Sequence, residues 1–151
     1  MRAFTVNNAM VSQLKSKLVS QGFNISEFDT HSVQDQPSFF KAALGGLPMG
    51  DATKHPDVSW VFPQNWAAFT DFLWQGVSEQ ASPLAILWTG SVELQNVNPK
   101  LYQDAIEAVT TADEGGNVDF PAFLFLIGSG PSFAKSIPDF GNESDTQQSF
   151  E

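Results

Sequence analysis

The side chains able to exchange protons, attack a substrate or hold a metal are few in this chain of 151 residues. There is no cysteine, so thiolate metal sites and disulfides are excluded. The only histidines are His31 and His55, both in polar stretches. Neither has a second ligand at the spacing that puts two imidazoles on one metal, such as His-x-x-x-His, so both read as solvated loop residues. Gly128-Ser129-Gly130 resembles a phosphate cradle only superficially, because it lacks the lysine and the glycine spacing of a P-loop; it reads as a turn ending a strand. Asp113 and Glu114 are adjacent, and adjacent residues point apart on a helix, so they read as a solvated helix end rather than a catalytic pair. The chemistry left to the chain is that of charge presented to a partner, and no metal or cofactor is expected.

Seventeen acidic against seven basic side chains give a net charge of −10. The imbalance is confined to one part of the chain. Met1 to Pro56 holds five Lys/Arg and four Asp/Glu, whereas Asp57 to Glu151 holds two basic and thirteen acidic residues. Such a field repels nucleic acid and anionic membranes and attracts a basic partner. Residues 1–22 contain no apolar stretch of signal-peptide length followed by a small-residue cleavage site, and no apolar run reaches the 18 or so residues of a membrane span. A cytoplasmic protein is expected.

The elements that must carry this charge follow from periodicity. Met10, Val11, Leu14, Leu18 and Val19 recur at helical spacing over residues 8–21, with Gly22 as a stop. Phe23, Ile25 and Phe28 alternate with polar residues, which predicts a strand over 23–28. Pro37 suits the first turn of a helix whose stripe is Phe39, Phe40, Ala43 and Leu44, ended by Gly45 and Gly46. A loop from Gly50 to Val61 leads to a helix capped by Asn65, with Trp66, Phe69, Phe72 and Leu73 on its buried side and Gly76 near its end. Ala67, Asp71, Trp74 and Ser78 share another face of that helix. Leu84–Trp88 and Ala122–Ile127 are continuous apolar runs of strand length, as strands buried on both faces require. Between them, after a polar connection, Asn98 and Pro99 open a helix striped by Tyr102, Ala105, Ile106 and Val109. Trp60, Trp66 and Trp88 are expected in the core. Strands alternating with helices imply an α/β fold with a three-stranded parallel sheet packed against helices.

The segment Phe62–Leu73, FPQNWAAFTDFL, resembles the signature helix of the barstar family, intracellular inhibitors of barnase-type ribonucleases. Asn65, Trp66, Ala68, Phe69, Asp71 and Leu73 keep the family's spacing, and the order of flanking elements agrees. These include Leu47-Pro48 before the motif, Pro83 opening LAILW after it, then a helix and a last apolar strand. The resemblance covers residues 22–130. It divides the chain into an N-terminal helical extension (1–22), a barstar-like domain (23–130) and an acidic tail expected to be disordered (131–151).

What the resemblance implies is an inhibitor or immunity protein without catalytic residues, whose acidic helix occupies the basic active site of a ribonuclease or nuclease toxin. Carboxylates on a rigid helix imitate phosphate for Arg, Lys and His donors. On this reading Asp71 stands at the family's most important acidic position. The partner surface includes Phe62, Asn65, Ala67, Thr70, Asp71 and Trp74, with Glu107, Thr111 and Glu114 from the following long helix. Ala67 replaces the family's first acid, Thr70 stands where a larger residue is usual, and Pro63 replaces a glycine. The insertion at 50–61 adjoins this surface. The alternative is an interaction or regulatory module that keeps the fold without inhibiting a nuclease. A third reading, an acid-base enzyme using Asp71 and a histidine, has little in the sequence to carry it.

Overall fold

The structure, a computed structural model, describes residues 1–50, 52, 65–114 and 119–140. Among these residues four strands form one parallel sheet: β1 (Arg2–Asn7), β2 (Asn24–Asp29), β3 (Leu84–Thr89) and β4 (Ala122–Gly128), in the order β1-β4-β3-β2. The helices are α1 (Val11–Ser20), α2 (Gln36–Gly46), α3 (Trp66–Ser78), α4 (Ser91–Val97) and α5 (Pro99–Thr110). The fold is therefore α/β with a parallel sheet packed against helices, as the alternation of elements predicts, but with four strands instead of three. No helix among the described residues is long and apolar enough to cross a membrane.

Strand side chains alternate between two cores, as the period of two demands. Ala85, Leu87, Phe123, Phe125 and Ile127 face α1 and pack with its Leu14 and Leu18. Leu84, Ile86, Trp88, Ala122 and Leu124 face the other way, onto Phe39, Phe40, Phe69, Leu73, Leu101, Ala105 and Val109 of α2, α3 and α5. Burial on both sides is the reason β3 and β4 are apolar without interruption.

The extra strand corrects the reading of residues 1–22 as a helical extension. Arg2–Asn7 pairs in register with Phe123–Gly128, and α1 follows after a single 3-10 turn. As an edge strand β1 has one strand partner among the described residues, β4, beside an isolated bridge from Val6 to Ala134, and it places Phe4 and Val6 against the α1 core while Arg2, Ala3 and Thr5 stay exposed. Two inward side chains are too few to form a recognisable run. A second correction concerns the tail. Residues 131–140 belong to the fold, because Asn7 N donates to Ala134 O at 2.8 Å and the fully buried Phe140 packs its ring 5.2 Å from Phe125 and 5.5 Å from Phe23. The expectation for residues 141–151 lies outside the described residues.

Helix starts follow the capping chemistry. Asn65 Oδ1 accepts the Ala68 amide at 2.8 Å, Asn98 Oδ1 accepts that of Leu101 at 3.2 Å, and Asp35 and Ser38 close a capping box at the start of α2. Gly76, read as a stop, is instead interior to α3. A Cβ there would lie 1.7 Å from Pro48 O, so the glycine permits α3 to press against the backbone that leaves α2. The polar connection after β3 contains α4, which buries only Ser91 and Leu94 and so lacks a stripe.

Candidate functional site

α3 and α5 lie side by side and leave a groove between them. One part, a pocket of about 260 Å³, is lined by Trp66, Thr70, Asp104, Glu107, Ala108 and Thr111. A second, of about 270 Å³, is lined by Thr70, Asp71, Trp74, Thr111 and Ala112. Both are bordered by Thr70 and Thr111, which makes them adjoining stretches of one groove. Asp71 and Glu107 are exposed, and Trp74 is 39% exposed.

Helical periodicity explains the arrangement. Thr70, Asp71 and Trp74 fall within one turn or so on α3, while Phe69 and Leu73 turn the opposite side of the helix into the core. On α5 and its C-cap, Glu107 and Ala108 each lie three or four residues from both Asp104 and Thr111, with Leu101, Ala105 and Val109 inward. The hydroxyls at the centre are already committed. Thr70 Oγ1 donates to its own helix, with Ala67 O at 2.9 Å and Trp66 O at 3.0 Å, and Thr111 Oγ1 donates to Glu107 O at 2.8 Å. The negative charge therefore sits around a neutral centre, on Asp71, Asp104 and Glu107. Asp104 shares its charge with Lys100, whose Nζ is 2.8 Å and 3.1 Å from the two carboxylate oxygens on a side chain 84% exposed. An exposed i,i+4 pair of this kind is weak and easily exchanged for another cation.

Trp66 forms one wall. Its ring meets those of Phe40, Phe69 and Phe39 with centroids 5.0, 5.2 and 5.4 Å away, yet its indole N–H is buried without a hydrogen-bond partner among the described residues. Trp88, by contrast, is fully buried and donates to Thr30 Oγ1 at 2.9 Å.

Of the residues singled out in the sequence, the groove brings together Thr70, Asp71, Trp74, Glu107 and Thr111. Ala67 is exposed on α3 outside the lining of either pocket, Asn65 is occupied as the α3 cap, and Glu114 is exposed beyond α5. Phe62, His55 and the insertion apart from residues 50 and 52 lie outside the described residues. The sequence reading missed Asp104, Ala108 and Ala112 as lining; Trp66, expected in the core, packs against it and also lines the groove. Asp104 was within reach, since it precedes Glu107 by three residues on a helix already inferred. Among the described residues no group of three or more His, Asp or Glu is placed to hold a metal ion. Comparisons of the chain with protein-family models, with curated proteins and with solved structures each find no match.

Proposed function

We propose that this protein is a barstar-like binding protein, an inhibitor or immunity protein that lays the α3–α5 groove over the active site of a basic ribonuclease or nuclease toxin in the cytoplasm. It acts by occlusion, without catalysis, metal or cofactor. The observation that supports this reading is the exposed carboxylate of Asp71 beside Trp74, on a capped helix whose other side is locked into the core and whose neighbour α5 contributes Asp104 and Glu107 to the same groove. Negative oxygens at fixed positions suit the Arg, Lys and His donors that bind RNA phosphate. The aromatic beside them supplies the apolar area that anchors an interface.

Titration calorimetry against a barnase-type ribonuclease tests it. Asp71→Ala is expected to weaken binding by about 2–5 kcal/mol, the range for truncating one member of a desolvated charge pair, with folding unchanged. Association should slow as salt rises, because the Debye length is only about 8 Å at physiological ionic strength. Ala67→Asp adds a carboxylate one turn before Asp71 and should tighten the complex. Absence of heat with all three proteins would remove the inhibitor reading. The second reading, an interaction module that does not inhibit a nuclease, is favoured by one feature: the first exposed position of this helix face, Ala67, carries no charge.

A further inference from the structure

A polar cluster that shares no residue with the groove lining fastens the loop after β2 to the start of α4. Thr30 is fully buried, accepts from Trp88 Nε1 at 2.9 Å and donates to Gly90 O at 2.9 Å. Asp29 Oδ1 accepts from the His31 backbone N–H at 2.9 Å and from the ring Nδ1 at 2.5 Å. The other ring nitrogen, Nε2, lies 3.7 Å from Glu93 Oε2 in the first turn of α4. At the far end of the loop Asn98 Nδ2 donates to Gln34 O at 3.2 Å. Gly90, at φ +84°, is needed for this approach, because a Cβ there would lie 2.5 Å from His31 N and 3.0 Å from Asp29 Oδ1. The imidazole is thus placed between Asp29 of β2 and Glu93 of α4. Its other neighbours around a crevice of about 220 Å³ include the uncharged Asn8, Thr89 and Ser129, from the ends of the remaining strands.

We propose that His31 is a proton-operated clasp, which as imidazolium ties the β2–α2 loop to α4 and on deprotonation releases Glu93. Neutral imidazole keeps its Nδ1–H on Asp29, but Nε2 then presents a lone pair to the Glu93 carboxylate, and two acceptors facing each other repel. The Asp29 hydrogen bond favours the protonated ring, partial burial works against it, and the charges of Asp29 and Glu93 add to it, so the pKa stands above the ordinary histidine value. Release would loosen the loop against the α4–α5 unit, which carries Glu107 and Thr111. An effect of pH on partner affinity rests on the function proposed above, whereas the clasp itself does not.

Nuclear magnetic resonance on the full chain, without any partner, tests the clasp from about pH 5 to about pH 9, a span that brackets the ordinary histidine value. The His31 ring titration is followed beside hydrogen exchange of the Thr30 and Val33 amides, which bond to Thr89 O and Thr30 O. After correction for the intrinsic pH dependence of exchange, protection of these amides should fall several-fold as His31 loses its proton. Glu93→Gln should lower the His31 midpoint and remove the step, and His31→Asn should give protection that does not change with pH. A step that persists in either variant, or protection that is flat through the wild-type midpoint, overturns the clasp. Loss of nuclease binding with the step intact would overturn only the function proposed for the groove.

Discussion

Trp66 and Trp88 allow one substitution, tryptophan to phenylalanine, to be read at two sites that differ in how the indole N–H is satisfied. In Trp66→Phe the lost ring portion removes about 40 Å² of apolar contact, worth about 1 kcal/mol at about 25 cal/mol per Å². Against this, the change removes a buried donor that has no partner among the described residues, and leaving such a donor buried costs about 1–3 kcal/mol. The two contributions oppose each other, and Trp66 is only partly buried, so its surroundings can close around the smaller ring. The expected change is within about 1 kcal/mol of zero, with stabilisation the more natural sign. Trp88→Phe loses the same area at a fully buried position and leaves a cavity that adds about 1–2 kcal/mol. It also loses the bond to Thr30 Oγ1, worth about 1 kcal/mol, for a total of about 3–4 kcal/mol. Urea unfolding followed by far-ultraviolet circular dichroism measures both, since fluorescence would change with the chromophore itself, and a common slope shows that midpoints report stability. Equal losses at the two positions would refute the reasoning, because they would mean that the Trp66 N–H is as well satisfied as that of Trp88.

Three further outcomes are expected. Gly76→Ala gains about 1 kcal/mol of helix propensity but drives a methyl group into the Pro48 carbonyl, so unfolding should begin at a lower temperature, with a net loss of at least about 1–3 kcal/mol; a raised melting temperature would contradict the close approach. Asn65→Ala should cost about 1 kcal/mol in urea unfolding, and Asn65→Asp should restore it, because either side chain can accept the Ala68 amide. The stabilisation from His31, whose folded pKa is raised, is complete below its unfolded value and lost as pH rises through the folded one; that from Asp29, whose folded pKa is lowered, is present above 3.8 and lost as pH falls through its folded value. Stability measured against pH should therefore decline on both sides of the interval between them, and His31→Asn should flatten the alkaline side.

What was legible in the sequence is what burial writes into it. The runs expected at 84–88 and 122–127 are the strands Leu84–Thr89 and Ala122–Gly128, because the two central strands need apolar side chains at most or all positions, and the run at 23–28 is the edge strand Asn24–Asp29, legible through the alternation of Phe23, Ile25 and Phe28 with polar residues. β1 and α4 escaped for the converse reason: an edge strand shows two inward residues, and a seven-residue helix shows one buried leucine. Gly76 carried the right information under the wrong heading, since a glycine that ends a helix and one that lets a backbone come close are the same letter. Within the groove, periodicity placed Asp71 with Trp74 on one face of α3, whereas Glu107 and Thr111 were singled out only through the family resemblance. The meeting of the two faces depends on how α3 and α5 pack, which no spacing within either helix encodes. His31 divides in the same way, for Asp29 is two residues away and visible, whereas Glu93 reaches it only through the pairing of β2 with β3.

The charge of the groove and its aromatic walls have to be considered together. Exposed carboxylates such as Asp71 and Glu107 would each be worth only about 1 kcal/mol to a cation 4 Å away in bulk water. Truncation costs of 2–5 kcal/mol belong to pairs from which water has been excluded. Trp66 and Trp74 stand eight residues apart on α3, about 12 Å along its axis at about 1.5 Å per residue, and each walls one of the two pockets. Tryptophans set among acids in this way are the side chains that dominate interfaces, because their area keeps solvent from the polar contacts beside them. The neutral Thr70 and Thr111 serve the same end, since their hydroxyls are spent on their own helices and ask nothing of a partner. On the function proposed here, the groove gathers few charges but places them where a docked surface can dry them, and affinity for a basic protein would depend on fit along the tryptophans as much as on the number of acids.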